Sequence, residues 1–255
     1  MPLELVTVPC LDDNYAFIIA DPAKGAAAVV DVPEAGPINA AVKARGWTVT
    51  NVLLTHHHWD HIDGLPDLER ATSARIIGAK ADAHRLPPLD ITVSDGETFK
   101  LGGEDVQVFD VSGHTVGHVA YYLPASRLLF SGDSLMALGC GRLFEGTPAQ
   151  MWESLQKLRA LPPETEVCSG HEYTSANGKF AATLEPDNPR LISRIDAVAT
   201  AREKGEATVP SKLEEELATN PFLRSDVASF QEAVGMQGAD PAEVFKEIRS
   251  RKDNF

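Results

Sequence analysis

The sequence predicts an α+β fold: a mixed domain over residues 1–173, followed by a smaller helical domain over residues 174–255. Two observations carry this. Up to His171, short apolar β-like runs alternate with turn signals, and beyond it every apolar segment has helical spacing with Pro or Gly between segments. The length of 255 residues, with 43% apolar and 24% charged side chains, suits one substantial core plus a smaller unit.

Taken in order, LELVTVP and YAFIIAD read as paired strands with the polar LDDN between them as their turn. AAAVVDV reads as a fully buried strand that ends at Asp31, and INAAVKARG as a helix stopped by Gly46. TVTNVLLT is a second buried strand, LPDLERAT a short helix, and ARIIGA a strand again. TFKLGGEDVQVFDV, HVAYYLP and RLLFSGD read as consecutive strands with Gly-containing turns. PAQMWESLQKLRAL is an amphipathic helix with Pro148 near its start and Pro162 after it, and EVCSGH is a last strand. EYTSANGKFAATL, PRLISRIDAVATAREKG, SKLEEELA and DPAEVFKEIRSRK then read as helices. There is no internal repeat.

A formal charge of −14 opposes binding to nucleic acid and to anionic membranes. The start lacks a basic segment followed by an apolar one, and no apolar run reaches the length of a membrane span, so a cytoplasmic protein is expected. The cysteines, Cys10, Cys140 and Cys168, are odd in number with no close pair, which argues against a disulfide framework.

The chemistry concentrates in THHHWDH. In an extended segment His56 and His58 point one way and His57 the other. If the chain then turns, Asp60 and His61 reach back towards the same cavity. Imidazole with carboxylate suits zinc, iron or manganese, and the lack of thiolate disfavours a closed structural zinc site. Further ligands are expected at strand ends beside glycine: His114 in SGHTVGH, Asp133 in FSGDS and His171 in CSGHEY. The tally is His56, His58 and His114 for one ion and Asp60, His61 and His171 for a second, with Asp133 bridging. Two ions about 3.5–4 Å apart polarise a shared water towards hydroxide and stabilise an oxyanion, which is hydrolytic chemistry. His84, His57 and His118 are left out as surface or out-of-phase residues. Asp31 reads first as a turn residue, with a second reading as the orienter of a ligand histidine.

With its HHHWDH and the later GHT, GD and GHEY in order, the chain resembles the metallo-β-lactamase superfamily. Within it, THHHWDHIDG, GDSLMALGCGRLFEGT, CSGHEYT, NPFLR and the terminal RSRKDNF resemble the hydroxyacylglutathione hydrolases (glyoxalase II) over effectively the whole chain. The resemblance implies an αββα sandwich with a dinuclear site at the sheet edge and a glutathione-binding helical domain. It implies hydrolysis of a glutathione thioester, S-D-lactoylglutathione, to glutathione and D-lactate in the second step of methylglyoxal detoxification. Two divalent ions are implied, zinc foremost and iron or manganese also suited, with Asp60 and Asp133 as the catalytic carboxylates. The small-molecule thioester is the expected partner, on a monomer.

A doubly carboxylated substrate calls for local positive charge on this acidic chain. Lys246, Arg249, Arg251 and Lys252 supply it, and the resemblance assigns Arg249, Lys252 and Tyr173 to glutathione. The family's GCGKFY stands here as GCGRLF, which places Arg142 and Phe144 at substrate-contact positions. Arginine keeps the charge and its bidentate grip. Phe144 lacks the phenolic hydroxyl, so weaker glutathione affinity is expected. A mononuclear iron dioxygenase acting on glutathione persulfide and a non-catalytic metal-storage protein are the rival readings.

Overall fold

Strands β1 (Glu4–Cys10) and β2 (Asn14–Asp21) pair antiparallel across the polar turn, with Glu4 opposite Ala20 and Cys10 opposite Asn14. β3 (Ala26–Val30) adds antiparallel to β2. A parallel neighbour requires a crossover, and helix α1 (Ala35–Ala44) provides it on the way to β4 (Thr48–Leu53). β5 (Arg75–Ala79) and β6 (Ile91–Val93) extend the parallel part, giving one sheet in the order β1-β2-β3-β4-β5-β6. This computed structural model describes residues 3–255.

The chain divides into two compact units. The first runs through Val111 and resumes over Val116–Gly132; the second comprises Ser112–Thr115 and Asp133–Phe255.

In the first unit a meander follows the mixed sheet: β7 (Thr98–Leu101), β8 (Glu104–Asp110), β9 (Val119–Leu123) and β10 (Leu128–Gly132), antiparallel throughout. The two sheets stack. On the face of the mixed sheet that receives α1, Ala16, Ile18, Val29 and Val52 pack against Ile38 and Val42 of that helix. On the meander side, the Phe17 ring meets Phe130 edge-on at 5.6 Å, and the Tyr121 hydroxyl donates to the Leu54 carbonyl at 2.9 Å. β2 is therefore apolar on both faces, which is why it reads as a continuous hydrophobic run. Tyr121→Phe leaves the buried Leu54 carbonyl short of a donor and is expected to cost about 1–3 kcal/mol, measured by urea unfolding.

One expected element takes another form. LPDLERAT contains only a 3₁₀ turn, Leu65–Asp67. Leu68 is already extended, and the Arg70 guanidinium donates to the Leu65 carbonyl at 2.9 Å, so a side chain satisfies the group that a continuing helix would use. The sequence reading also passed over α2 (Trp59–Ile62) and β6.

In the second unit a hairpin of β11 (Leu135–Met136) and β12 (Gly139–Cys140) precedes helix α3 (Pro148–Arg159). Thr147 and Gln150 form a reciprocal capping box at the start of α3, with Pro148 in the first turn. β13 (Glu166–Ser169) is followed by α4 (Thr174–Leu184) and α5 (Pro189–Glu203). β14 (Ser211–Lys212), in a stretch read as helix, pairs antiparallel with β13 before α6 (Leu213–Thr219) begins. α7 (Ala228–Ala233) and α8 (Pro241–Asp253) complete the chain. An aromatic series holds these helices together: Trp152 lies 6.2 Å from Phe245, Phe245 5.6 Å from Phe222, and Phe222 6.2 Å from Phe180. Among the described residues, no helix is long and apolar enough to cross a membrane.

Candidate metal centre

In the first unit the site begins where buried β3 and β4 end. Asp31 has a left-handed φ of 56°, and its carboxylate accepts the Thr55 N–H at 2.8 Å and the Thr55 hydroxyl at 2.7 Å. The same carboxylate accepts His61 Nδ1–H at 2.8 Å. Because the Thr55 hydroxyl donates to Asp31, it receives the Nδ1–H of His56, 3.0 Å away. Both histidines thus carry their proton on Nδ1 and present the Nε2 lone pair, the form a metal requires. Asp31 is the orienter of its second reading: the turn that follows β3 fixes the tautomer of a histidine 30 residues on.

His56 and His58 rings lie 4.8 Å apart, and His56 and His61 4.2 Å apart. The short helix α2 supplies the turn that brings Asp60 and His61 back, with His61 N–H donating to the His58 carbonyl at 2.9 Å. Asp60 Oδ2 sits 3.9 Å from His61 Nε2. Asn14 donates to both the carbonyl and the carboxylate of Asp60, at 3.0 and 3.1 Å. His57, on the opposite side of the extended segment, bonds through Nδ1 to Asp82 at 2.8 Å. His118 stacks on His56 at 4.6 Å, and His84 is exposed.

In the second unit, Asp133 is flanked by two imidazoles. Its Oδ2 is 3.5 Å from His114 Nε2 and 3.3 Å from His171 Nε2. His114 Nδ1–H donates to the Arg142 carbonyl at 2.7 Å, so its Nε2 carries the lone pair, as in His56 and His61. Gly141 permits this closeness: a β-carbon there would overlap the Asp133 carbonyl oxygen and stand 2.9 Å from His114 Nδ1.

The five expected substrate contacts all belong to this unit. Tyr173 stacks on His171 at 4.6 Å with nearly parallel rings. Phe144 is 62% exposed, its ring 5.3 Å from His114. Arg142 is exposed, and its Nε faces Asp253 at 3.3 Å. Arg249 is only 7% exposed; it donates to the Cys140 carbonyl at 3.1 Å and to Asp253 at 2.9 Å. Lys252 is half-buried, with Nζ 3.4 Å from the Ala176 carbonyl and 5.2 Å from the Phe180 ring centre. Burial, and then the nearby Arg249, lower its pKa. Burial pushes the thiols of Cys10 and Cys140 up to about 11 and raises Cys168 well above the ordinary value, so all three stay protonated at neutral pH. The donor set is imidazole and carboxylate.

Sequence reasoning missed Asn14 and Thr55. Asn14 sits in a polar turn where asparagine is common, and Thr55 precedes the histidines without any spacing signal of its own.

Comparison with known proteins places this arrangement. The family described as the metallo-beta-lactamase superfamily matches residues 12–171, and the family described as the hydroxyacylglutathione hydrolase C-terminus matches residues 172–255. A protein of Cereibacter sphaeroides named hydroxyacylglutathione hydrolase is 62% identical over 255 residues, 100% of both chains. Among solved structures, the BLEG-1 B3 metallo-beta-lactamase matches with a TM-score of 0.67 over 86% of this chain and 99% of its own; at 21% identity it shows the fold. TTHA1623 in a di-iron-bound form matches with a TM-score of 0.54 and 30% identity over 66% of this chain and 91% of its own. The chain belongs to the hydroxyacylglutathione hydrolase family, within the metallo-β-lactamase superfamily.

Proposed function

We propose that the chain hydrolyses S-(2-hydroxyacyl)glutathione thioesters, S-D-lactoylglutathione among them, with two divalent metal ions. The observation that carries this reading is the end-to-end identity of 62% with a hydroxyacylglutathione hydrolase, helical C-terminal part included. His56, His58 and His114 would hold one ion, Asp60, His61 and His171 the other, and Asp133 both. The chemistry of the donors supports the fit: His56, His61 and His114 have Nδ1 engaged by Thr55, Asp31 and the Arg142 carbonyl, and the cysteine thiols are protonated. The di-iron form of TTHA1623 supports the number of ions, and zinc suits the same donors. When bound, such a pair provides an activated water at neutral pH and polarises the thioester carbonyl.

The chain's own residues do the rest. Asp31 and Thr55 hold the imidazoles in the ligating tautomer. Asp60, held by two hydrogen bonds from Asn14, would be a ligand and would orient the attacking water. Arg142 and Lys252 attract the glutathione carboxylates, Arg249 adds its charge from a buried position, and Tyr173 and Phe144 flank the tripeptide. Glutathione departs as a thiolate, a leaving group that needs little protonation. A division near residue 173 into a catalytic and a helical part is supported by the family matches, which meet at residues 171 and 172, whereas the compact units of the fold part earlier, between Gly132 and Asp133. A cytoplasmic monomer that avoids nucleic acid and anionic membranes fits a charge of −14 and three unpaired cysteines.

The test is the fall in thioester absorbance with S-D-lactoylglutathione, run beside an oxygen electrode with glutathione persulfide. Thioester loss without oxygen uptake is expected; oxygen uptake on persulfide with an intact thioester would replace the reading by the dioxygenase one. Phe144→Tyr restores a hydroxyl worth about 0.5–1.5 kcal/mol. It is expected to lower KM about two- to tenfold at unchanged kcat. An unaltered KM would remove Phe144 from the glutathione contact.

A further inference from the structure

We propose that Glu216, Asn220 and Asn177 form a polar clamp on the β11–β12 hairpin that positions Arg142 and Phe144, and so sets affinity for the glutathione half of the substrate; this rests on the thioesterase reading above. Side chains bond four backbone groups of the hairpin turn, Met136–Gly139. Leu138 N–H donates to Glu216 Oε2 at 2.8 Å, and Asn177 Nδ2 donates to the Ala137 carbonyl at 3.0 Å. Asn220 Nδ2 reaches the carbonyls of Met136 at 3.0 Å and Gly139 at 2.9 Å. Just beyond, Arg249 donates to the Cys140 carbonyl.

A two-residue hairpin turn needs positive φ, a conformation unfavourable for leucine, yet Leu138 stands there at φ 57° and fully buried. The surrounding bonds over-determine that geometry. Glu216 is itself fully buried and accepts from Leu138 of the hairpin, from Arg194 of α5, and at 3.0 Å from Asn220, which caps the end of Glu216's own helix. A buried carboxylate is costly unless fully hydrogen-bonded, and here two of the donors, Leu138 and Arg194, come from distant pieces of chain. A fold that needed only to bury this turn could use apolar contacts. Directional bonds fix where the chain emerges. It emerges through Gly141, whose N–H donates to the Ser134 carbonyl at 3.2 Å, into Arg142 and Phe144, whose backbone groups are bonded to His114: the Arg142 carbonyl accepts His114 Nδ1–H, and Phe144 N–H donates to the His114 carbonyl at 3.2 Å. The clamp holds the segment where it leaves the hairpin, and His114 holds it where the substrate-facing side chains begin. Glu216, Asn220 and Asn177 are positioning residues, acting through Arg142 and Phe144.

Two near-isosteric changes release the clamp without leaving a cavity. Asn177→Asp replaces a donor by an acceptor facing a carbonyl, and Glu216→Gln sets an amide N–H₂ among three donors. Each variant is assayed on S-D-lactoylglutathione and on the N-acetylcysteamine thioester of the same acid, with metal content measured. The expected result is a KM for the glutathione thioester raised about tenfold, with kcat, metal content and the KM of the truncated thioester unchanged. Equal shifts on both thioesters, or none on either, would overturn the proposal and leave the bonds a structural role. Asn177→Ser serves if Glu216→Gln fails to fold. If the unmodified protein does not distinguish the two thioesters, the glutathione reading fails. The clamp is then decided by hydrogen exchange over residues 135–144, which speeds selectively in the variants if the clamp orders that segment and stays the same if it does not.

Discussion

Asp133→Asn is expected to lower kcat for the thioester by about three orders of magnitude and to cut metal content from about two ions per chain to about one. Asp133 Oδ2 stands between the Nε2 atoms of His114 and His171, at 3.5 and 3.3 Å. Those two histidines fall in different expected ligand sets, so a single carboxylate faces a donor from each. Asparagine keeps the shape and one oxygen, but it removes the charge and turns the second oxygen into a group that cannot ligate. The backbone need not move, since Gly141 and the Asp133 carbonyl keep their close packing. Rate and metal content, measured on one preparation, test this. Full turnover with two ions retained would contradict the bridging role.

Asp31→Asn should act on the same chemistry from a distance. Its carboxylate accepts from Thr55 N–H, the Thr55 hydroxyl and His61 Nδ1–H. Asparagine tolerates the left-handed φ of 56° found at this position. Its amide nevertheless presents N–H₂ to one of these donors, and the tautomer of His61, or of His56 through Thr55, loses its determinant. Loss of such an orienting carboxylate costs about 10–100-fold in metal affinity or activity. A competition titration with a chromophoric chelator measures the affinity, and a rate restored by excess metal separates this effect from that of Asp133→Asn. Unchanged affinity would make Asp31 a turn residue only.

The contrast between these aspartates shows what the sequence discloses. That Asp133, His114 and His171 come together was legible because each follows a predicted strand beside glycine, where a rigid sheet presents functional groups. The alternation in THHHWDH separated His56 and His58 from His57, and His57 indeed turns to Asp82. Asp31 was half legible, since the end of a buried strand says where a carboxylate sits but not what it meets 24 and 30 residues later. Asn14, Glu216 and Asn220 left no local trace. An asparagine in a turn and a glutamate in EEE on a helix look solvated, and only tertiary packing makes Glu216 a buried acceptor. The fold behaved likewise. Long apolar strands and the capped helix α3 were visible, whereas LPDLERAT ended early because Arg70 reached back to a carbonyl, and β14 became a strand because β13 offered it an edge.

The most direct measurement is thioester hydrolysis followed through chelation and reconstitution, with ions per chain counted at each step. Hydrolysis of S-D-lactoylglutathione should vanish as metal is stripped and return as about two equivalents of zinc are restored, half-loaded protein being far below half-active. Hydrolysis that persists in metal-free protein, or that is complete at one ion per chain, would contradict a two-ion thioesterase.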